Sequence, residues 1–149
     1  MKPIRTWILV ADGARARIFV NNGPGKGIEE MQGSAFENAL PPSRDIGSDK
    51  PGRSFNSTGF VRHAIEPGSD PHRERKREFL GHVAHYLDKA RRRGDFERLV
   101  IVAPPPALGD LRAEMDPKLR QLVTVEIAHD LVEHSRNDVS KHVEKVLAI

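Results

Sequence analysis

The chain has 149 residues, 38% of them hydrophobic and 30% charged, with no cysteine and a formal net charge of +3. That length suits one domain able to bury roughly 68–70% of its unfolded surface, and the composition is too apolar for a disordered chain and too polar for a membrane protein. The missing cysteine excludes disulfides, thiol catalysis and thiolate metal sites, and a reducing cytoplasm is the expected compartment.

Residues 4–20, IRTWILVADGARARIFV, hold two β-rich runs separated by Asp12-Gly13. They predict a hairpin, with Asp-Gly supplying the positive φ angles of a two-residue turn. The apolar run from Trp7 to Ala11 is followed too closely by Asp12, Arg15 and Arg17 for an export signal or a membrane span of about 20 residues. A third strand is expected around Ile28 to Phe36, after the turn Gly23-Pro24-Gly25-Lys26-Gly27. That turn lacks the spacing of a phosphate-binding loop, and its proline removes a needed donor. Residues 38–59 are rich in Pro, Gly, Ser, Asn and Asp without apolar period, which reads as a long mobile loop.

From Pro71 to Arg93 the apolar residues Phe79, Leu80, Val83, Leu87 and Ala90 recur every three or four positions and Gly94 follows, predicting an amphipathic helix. Asp70 ahead of Pro71 is its start signal. Arg98 to Ala103 is a continuous apolar run suited to a strand buried on both faces, closed by Pro104-Pro105-Pro106. A short helix over Ala107–Met115, a turn capped by Asp116-Pro117, a strand over Leu122–Ala128 and a final helix capped by Ser135 and Asp138 complete the chain. The order is β-β-β-α-β-α-β-α, a single α/β domain with a mixed sheet, as in ribonuclease H-like folds.

With WILVADGARARIFV, SDPHRERKREFLGHVAHYL, RLVIVAPPPALGDLR and LVTVEIAHDL in place, nearly the whole chain resembles the bacterial host-attachment protein family. The resemblance implies a protein named for attachment to host cells, without a defined biochemical activity. It extends distantly to the central domain of archaeal and eukaryotic peptide-chain release factors, which implies that domain's fold. In those factors a Gly-Gly-Gln loop precedes the first long helix. The corresponding Pro67-Gly68-Ser69-Asp70 has no glutamine, so peptide release is not implied. What the resemblance implies instead is a small domain presenting a loop and a basic helix start to RNA or the ribosome.

Across residues 71–93 eight basic residues stand against three acidic ones, a net of +5, whereas residues 104–149 carry six basic and eight acidic ones, a net of −2. The positive field therefore belongs to one helix and its approach. The candidate RNA-binding residues are Arg62, His63, Ser69, His72, Arg73, Arg75, Lys76 and Arg77, since helix N-termini attract phosphate and guanidinium forks match its oxygens. The same Asp70 and Glu74 are ordinary helix-start residues that oppose an anion there. Glu78, His82 and His85 share a helix face, but they lack the complete ligand set that a zinc site needs.

An enzymatic alternative is a metal-dependent nuclease using Asp12 and Glu126, with Asp70 and Asp130 recruited. Against it, the turn explains Asp12, and Glu126 alternates with Val125 and Ile127 as an exposed strand residue does. There is no Gly-x-Ser-x-Gly elbow for serine catalysis. The sequence thus predicts a non-enzymatic, cofactor-free cytoplasmic module that binds RNA, the ribosome or a translation factor, with no membrane insertion. A nuclease and an indirect or surface role in attachment stand as alternatives, and the sequence does not set the oligomeric state.

Overall fold

A computed structural model describes residues 3–33, 36–37 and 70–149. The expected long loop at 38–59, and Arg62, His63 and Ser69, lie outside these residues. The elements are β1 (Thr6–Ala11), β2 (Arg15–Asn21), β3 (Glu29–Glu30), β4 (Phe36–Glu37), α1 (Pro71–Arg93), β5 (Arg98–Val102), α2 (Pro105–Glu114), α3 (Pro117–Arg120), β6 (Val123–Ile127) and α4 (Arg136–Glu144). The sheet runs β3-β2-β1-β5-β6, with β4 also pairing with β2. β1 is antiparallel to β2 and parallel to β5, and β5 is parallel to β6. This is the mixed α/β order read from the sequence, except that the single third strand is two short ones on the outer edge of β2.

β1 is buried at every position because helices cover both faces of the sheet. Its alternate residues feed two cores. Trp7, Leu9 and Ala11 join Leu99, Ile101 and the apolar stripe of α1 (Phe79, Leu80, Val83, Leu87, Ala90), together with Leu108 and Leu111 of α2. Ile8 and Val10 join Phe19, Val100, Val102 and Val139 and Val143 of α4. The period-3.6 stripe of α1 is thus the one that the sequence predicts.

Local chemistry sets the helix ends. Asp70 accepts from the backbone N–H of His72 at 3.0 Å, with Pro71 in the first helical position. Gly94, at φ 77°, closes α1 in the left-handed conformation that only glycine adopts cheaply. Asp116 and Ser135 cap α3 and α4 through the N–H groups of Lys118 and Asp138.

The β1–β2 connection differs from expectation. Ala11 pairs with Ala16, so four residues intervene, and neither Asp12 nor Gly13 has a positive φ. The Asp12 carboxylate builds the turn instead, accepting from the N–H groups of Ala14 at 2.8 Å and Arg15 at 2.7 Å.

Candidate functional site

Because β1 and β5 are parallel, their carboxyl ends leave the sheet side by side. The chain then turns at Asp12-Gly13 and at Pro104, and α1 and α2 both begin at this edge. Crevices outside the carboxyl ends of strands are the usual ligand positions of open α/β sheets. A cavity of about 650 Å³ lies here, with Leu80, Pro104, Pro106 and Ala107 as apolar wall and Asp12, Arg73, Lys76 and Asp110 as its charged groups.

Arg73, read from the sequence as a phosphate ligand, is already engaged. Its two terminal nitrogens donate to both carboxylate oxygens of Asp110, at 2.6 and 2.7 Å, and the Asp110 side chain is only 7% exposed. Arg77 pairs with Glu74 within the helix. Arg75 is half-buried, and His72 is exposed. The start of α1 thus carries four cations (Arg73, Arg75, Lys76, Arg77) among four carboxylates (Asp70, Glu74, Glu78 and Asp110), a formal sum of zero, with Arg73 and Arg77 in ion pairs. Asp110 stands 37 residues from Arg73, so no local pattern exposes this neutralisation.

Lys76 is different. Its stem lies over Gly13 so closely that a Cβ there would stand 2.7 Å from Lys76 Cγ and 2.8 Å from Cδ. Gly13 is therefore needed for space and not for its backbone angles. Lys76 has no carboxylate partner among the described residues, while the two carboxylates that line the cavity are both satisfied. Besides its two N–H donors, Asp12 meets the Arg15 guanidinium at 3.1 Å. Arg15 in turn pairs with Glu133, and this hydrogen bond, with help from Asp12, raises its pKa above the ordinary arginine value.

The two leading nuclease carboxylates are committed elsewhere, Asp12 to the β1–β2 turn and Glu126 to Arg112. Glu126 is an exposed residue of the edge strand β6 and binds Arg112 at 2.6 Å. That bond raises the pKa of Arg112. Glu78, His82 and His85 are all exposed on α1. Among the described residues no group of three or more His, Asp or Glu side chains is placed to hold a metal ion, and no helix is long and apolar enough to cross a membrane.

The opposite end of α1 carries charge that the sequence reading did not separate from its start. Lys89, Arg92 and Arg93 are exposed on its last turns, and Arg5, just ahead of β1, reaches across to donate to the carbonyl of Gly94 at 2.5 Å. Only the parallel pairing of β1 with β5 brings Arg5 to that point.

Residues 7–143 match the family described as "Protein required for attachment to host cells". An uncharacterized protein of Rickettsia prowazekii (strain Madrid E) is 35% identical over 85 residues, a match spanning 52% of this chain and 57% of that protein. A solved archaeal protein superimposes on 97% of the chain at 13% identity with a TM-score of 0.53, the match covering 35% of that structure. An archaeal translation termination factor superimposes on 95% of the chain and 39% of its own, at 14% identity and a TM-score of 0.48. With the family matched along nearly its whole length, the chain belongs to the family of proteins required for attachment to host cells.

Proposed function

We propose that the chain is a non-enzymatic binding module for RNA, free or within the ribosome, and that one contact is the cavity edge at the start of α1. The observation that carries this reading is Lys76. It is a cation without a carboxylate partner among the described residues, seated over Gly13, in a cavity whose own carboxylates are satisfied by Arg15, Arg73 and backbone N–H groups. A phosphate oxygen placed there gains Lys76 without displacing an existing pair. His72 and Arg77, exposed in the first two turns of α1, belong to the same proposal, as do Arg62, His63 and Ser69 by sequence. Catalysis is not part of it, because Asp12 holds a turn and Glu126 holds Arg112.

The test is co-sedimentation with ribosomes at two salt concentrations. The protein pellets at low salt and is released at high salt, since phosphate contacts exchange with counterions. Lys76→Ala lowers the pelleted fraction at low salt. Pelleting that ignores salt, or no pelleting, defeats the reading.

A second reading follows the family's description, a role in attachment to host cells exercised at the cell surface or indirectly. Fractionation of the producing bacterium separates the two: a surface pool supports attachment, and recovery with ribosomes supports the first reading.

A further inference from the structure

We propose that the larger contact for RNA lies at the far end of α1, where Arg5, Lys89, Arg92 and Arg93 form a surface for the phosphate backbone of folded RNA. This rests on the RNA reading above. It names a different part of the molecule, about 20–25 Å from Lys76 along the same helix.

The charge count is the first observation. At this end six cations, Arg5, Lys89, Arg91, Arg92, Arg93 and Arg98, stand with three carboxylates, Asp88, Asp95 and Glu97, a net of +3. Asp88, with a side chain 9% exposed, is shared by Arg91 at 2.8 Å and Arg92 at 2.9 Å, so one carboxylate answers two guanidiniums. Asp95 takes Arg93 at 2.9 Å, and Glu97 takes Arg5 at 3.3 Å. Lys89 is exposed, one turn before Arg92 and Arg93 on the same helix face. The start of α1, by contrast, balances to zero.

A helix C-terminus favours cations, and that is the structural explanation to be exceeded. The macrodipole presents about half an elementary charge and acts within the last turn. Arg5, donating to the Gly94 carbonyl, already answers it. Three units of excess charge on one exposed end are more than helix capping uses, and they are held on two ordered elements instead of on a free tail.

Aromatic placement sets the kind of RNA. Trp7 and Phe96 stand next to this surface with ring centroids 4.8 Å apart, yet they are only 4% and 3% exposed. Among the described residues every Phe, Tyr and Trp ring is buried or half-buried. Unpaired bases are gripped by stacking on such rings, so a surface without them reads phosphates of a folded backbone, with little sequence preference.

The experiment titrates the full chain against a labelled RNA hairpin and a single-stranded oligonucleotide of equal length, between about 50 and 200 mM salt. Lys89→Ala/Arg92→Ala/Arg93→Ala leaves Arg91 on Asp88. It is expected to weaken hairpin binding at least about tenfold at low salt and to flatten the salt slope by about three, against about one for Lys76→Ala. Lys89→Gln alone, at an exposed side chain, flattens it by about one and serves if the triple variant does not fold. A hairpin bound by wild type and triple variant with equal affinity and slope overturns this proposal and leaves the RNA reading standing at Lys76. Tighter binding of the single strand overturns the assignment to folded RNA. Absence of RNA binding by the wild type, with or without binding to vesicles of anionic phospholipid, overturns both.

Discussion

The guanidinium of Arg73, in the first turn of α1, closes on both oxygens of Asp110 in α2, so that the two helices starting at the same sheet edge are tied by a bidentate pair. A residue that looks like a phosphate ligand in one dimension is a structural clamp in three. Arg73→Ala leaves a buried carboxylate unpaired and is expected to destabilise the fold by about 1–3 kcal/mol. The lower part of that range applies, because the arginine is 42% exposed and water reaches the pair. Urea unfolding checks it, and an unchanged midpoint would show that solvent replaces the clamp. Asp110→Asn has a second consequence. It frees the Arg73 charge and strengthens ribosome association at low salt.

Leu80 is fully buried, and it both walls the cavity and packs in the α1 core. Leu80→Ala is expected to cost about 2–5 kcal/mol, with the upper values reached if the site cannot collapse around the void. Lys76→Ala, on an exposed side chain, is expected within about 0.5 kcal/mol of wild type. Parallel denaturant titrations of the two variants test the contrast. Equal losses would mean that Lys76 is part of the core architecture.

Gly13→Ala separates space from backbone. Its φ is not in the left-handed region, so alanine brings no strain, but the new Cβ meets the Lys76 stem at 2.7 Å. The expected result is a destabilisation of about 1–3 kcal/mol from the forced shift of the Lys76 stem, together with weakened ribosome association as Lys76 is displaced. A variant that pellets like wild type would remove Gly13 from the site.

Asp88 predicts the acid side of the stability profile. The hydrogen bond from Arg91 lowers its pKa most, with the charges of Arg91 and Arg92 adding to it against the effect of burial. A carboxylate whose folded pKa lies below the unfolded value of about 3.9 contributes stability that is complete above that value. The contribution is lost as pH falls through the lower, folded pKa. Thermal melts are therefore expected to fall from about pH 4 downward, and Asp88→Asn is expected to be less stable at pH 7 while losing less on acidification. A variant with the wild-type acid slope would assign that slope to other carboxylates.

Much of the fold was legible because it is written in local patterns. The spacing from Phe79 to Ala90 gave α1, Asp70-Pro71 and Gly94 gave its ends, and the apolar run after Arg98 gave a strand buried on both faces. The turn at Asp12-Gly13 departs from the two-residue form its sequence predicts because the same dipeptide serves two purposes. A positive-φ hairpin and a side-chain-capped loop share its composition, and the packing of Lys76 over Gly13 belongs to the second.

Pairing over distance was not legible. The eight basic residues between 71 and 93 form one block in the sequence, and the fold divides them. Asp110 arrives from α2 to neutralise Arg73, whereas Arg5 arrives from the start of β1 to reinforce Lys89, Arg92 and Arg93. By itself the sequence determined the elements, their caps and the cores they bury, since those depend on neighbours within a few turns. Only the tertiary structure decided which cations are occupied and which face solvent, because an ion pair depends on separations of a few ångströms that chain spacing does not encode.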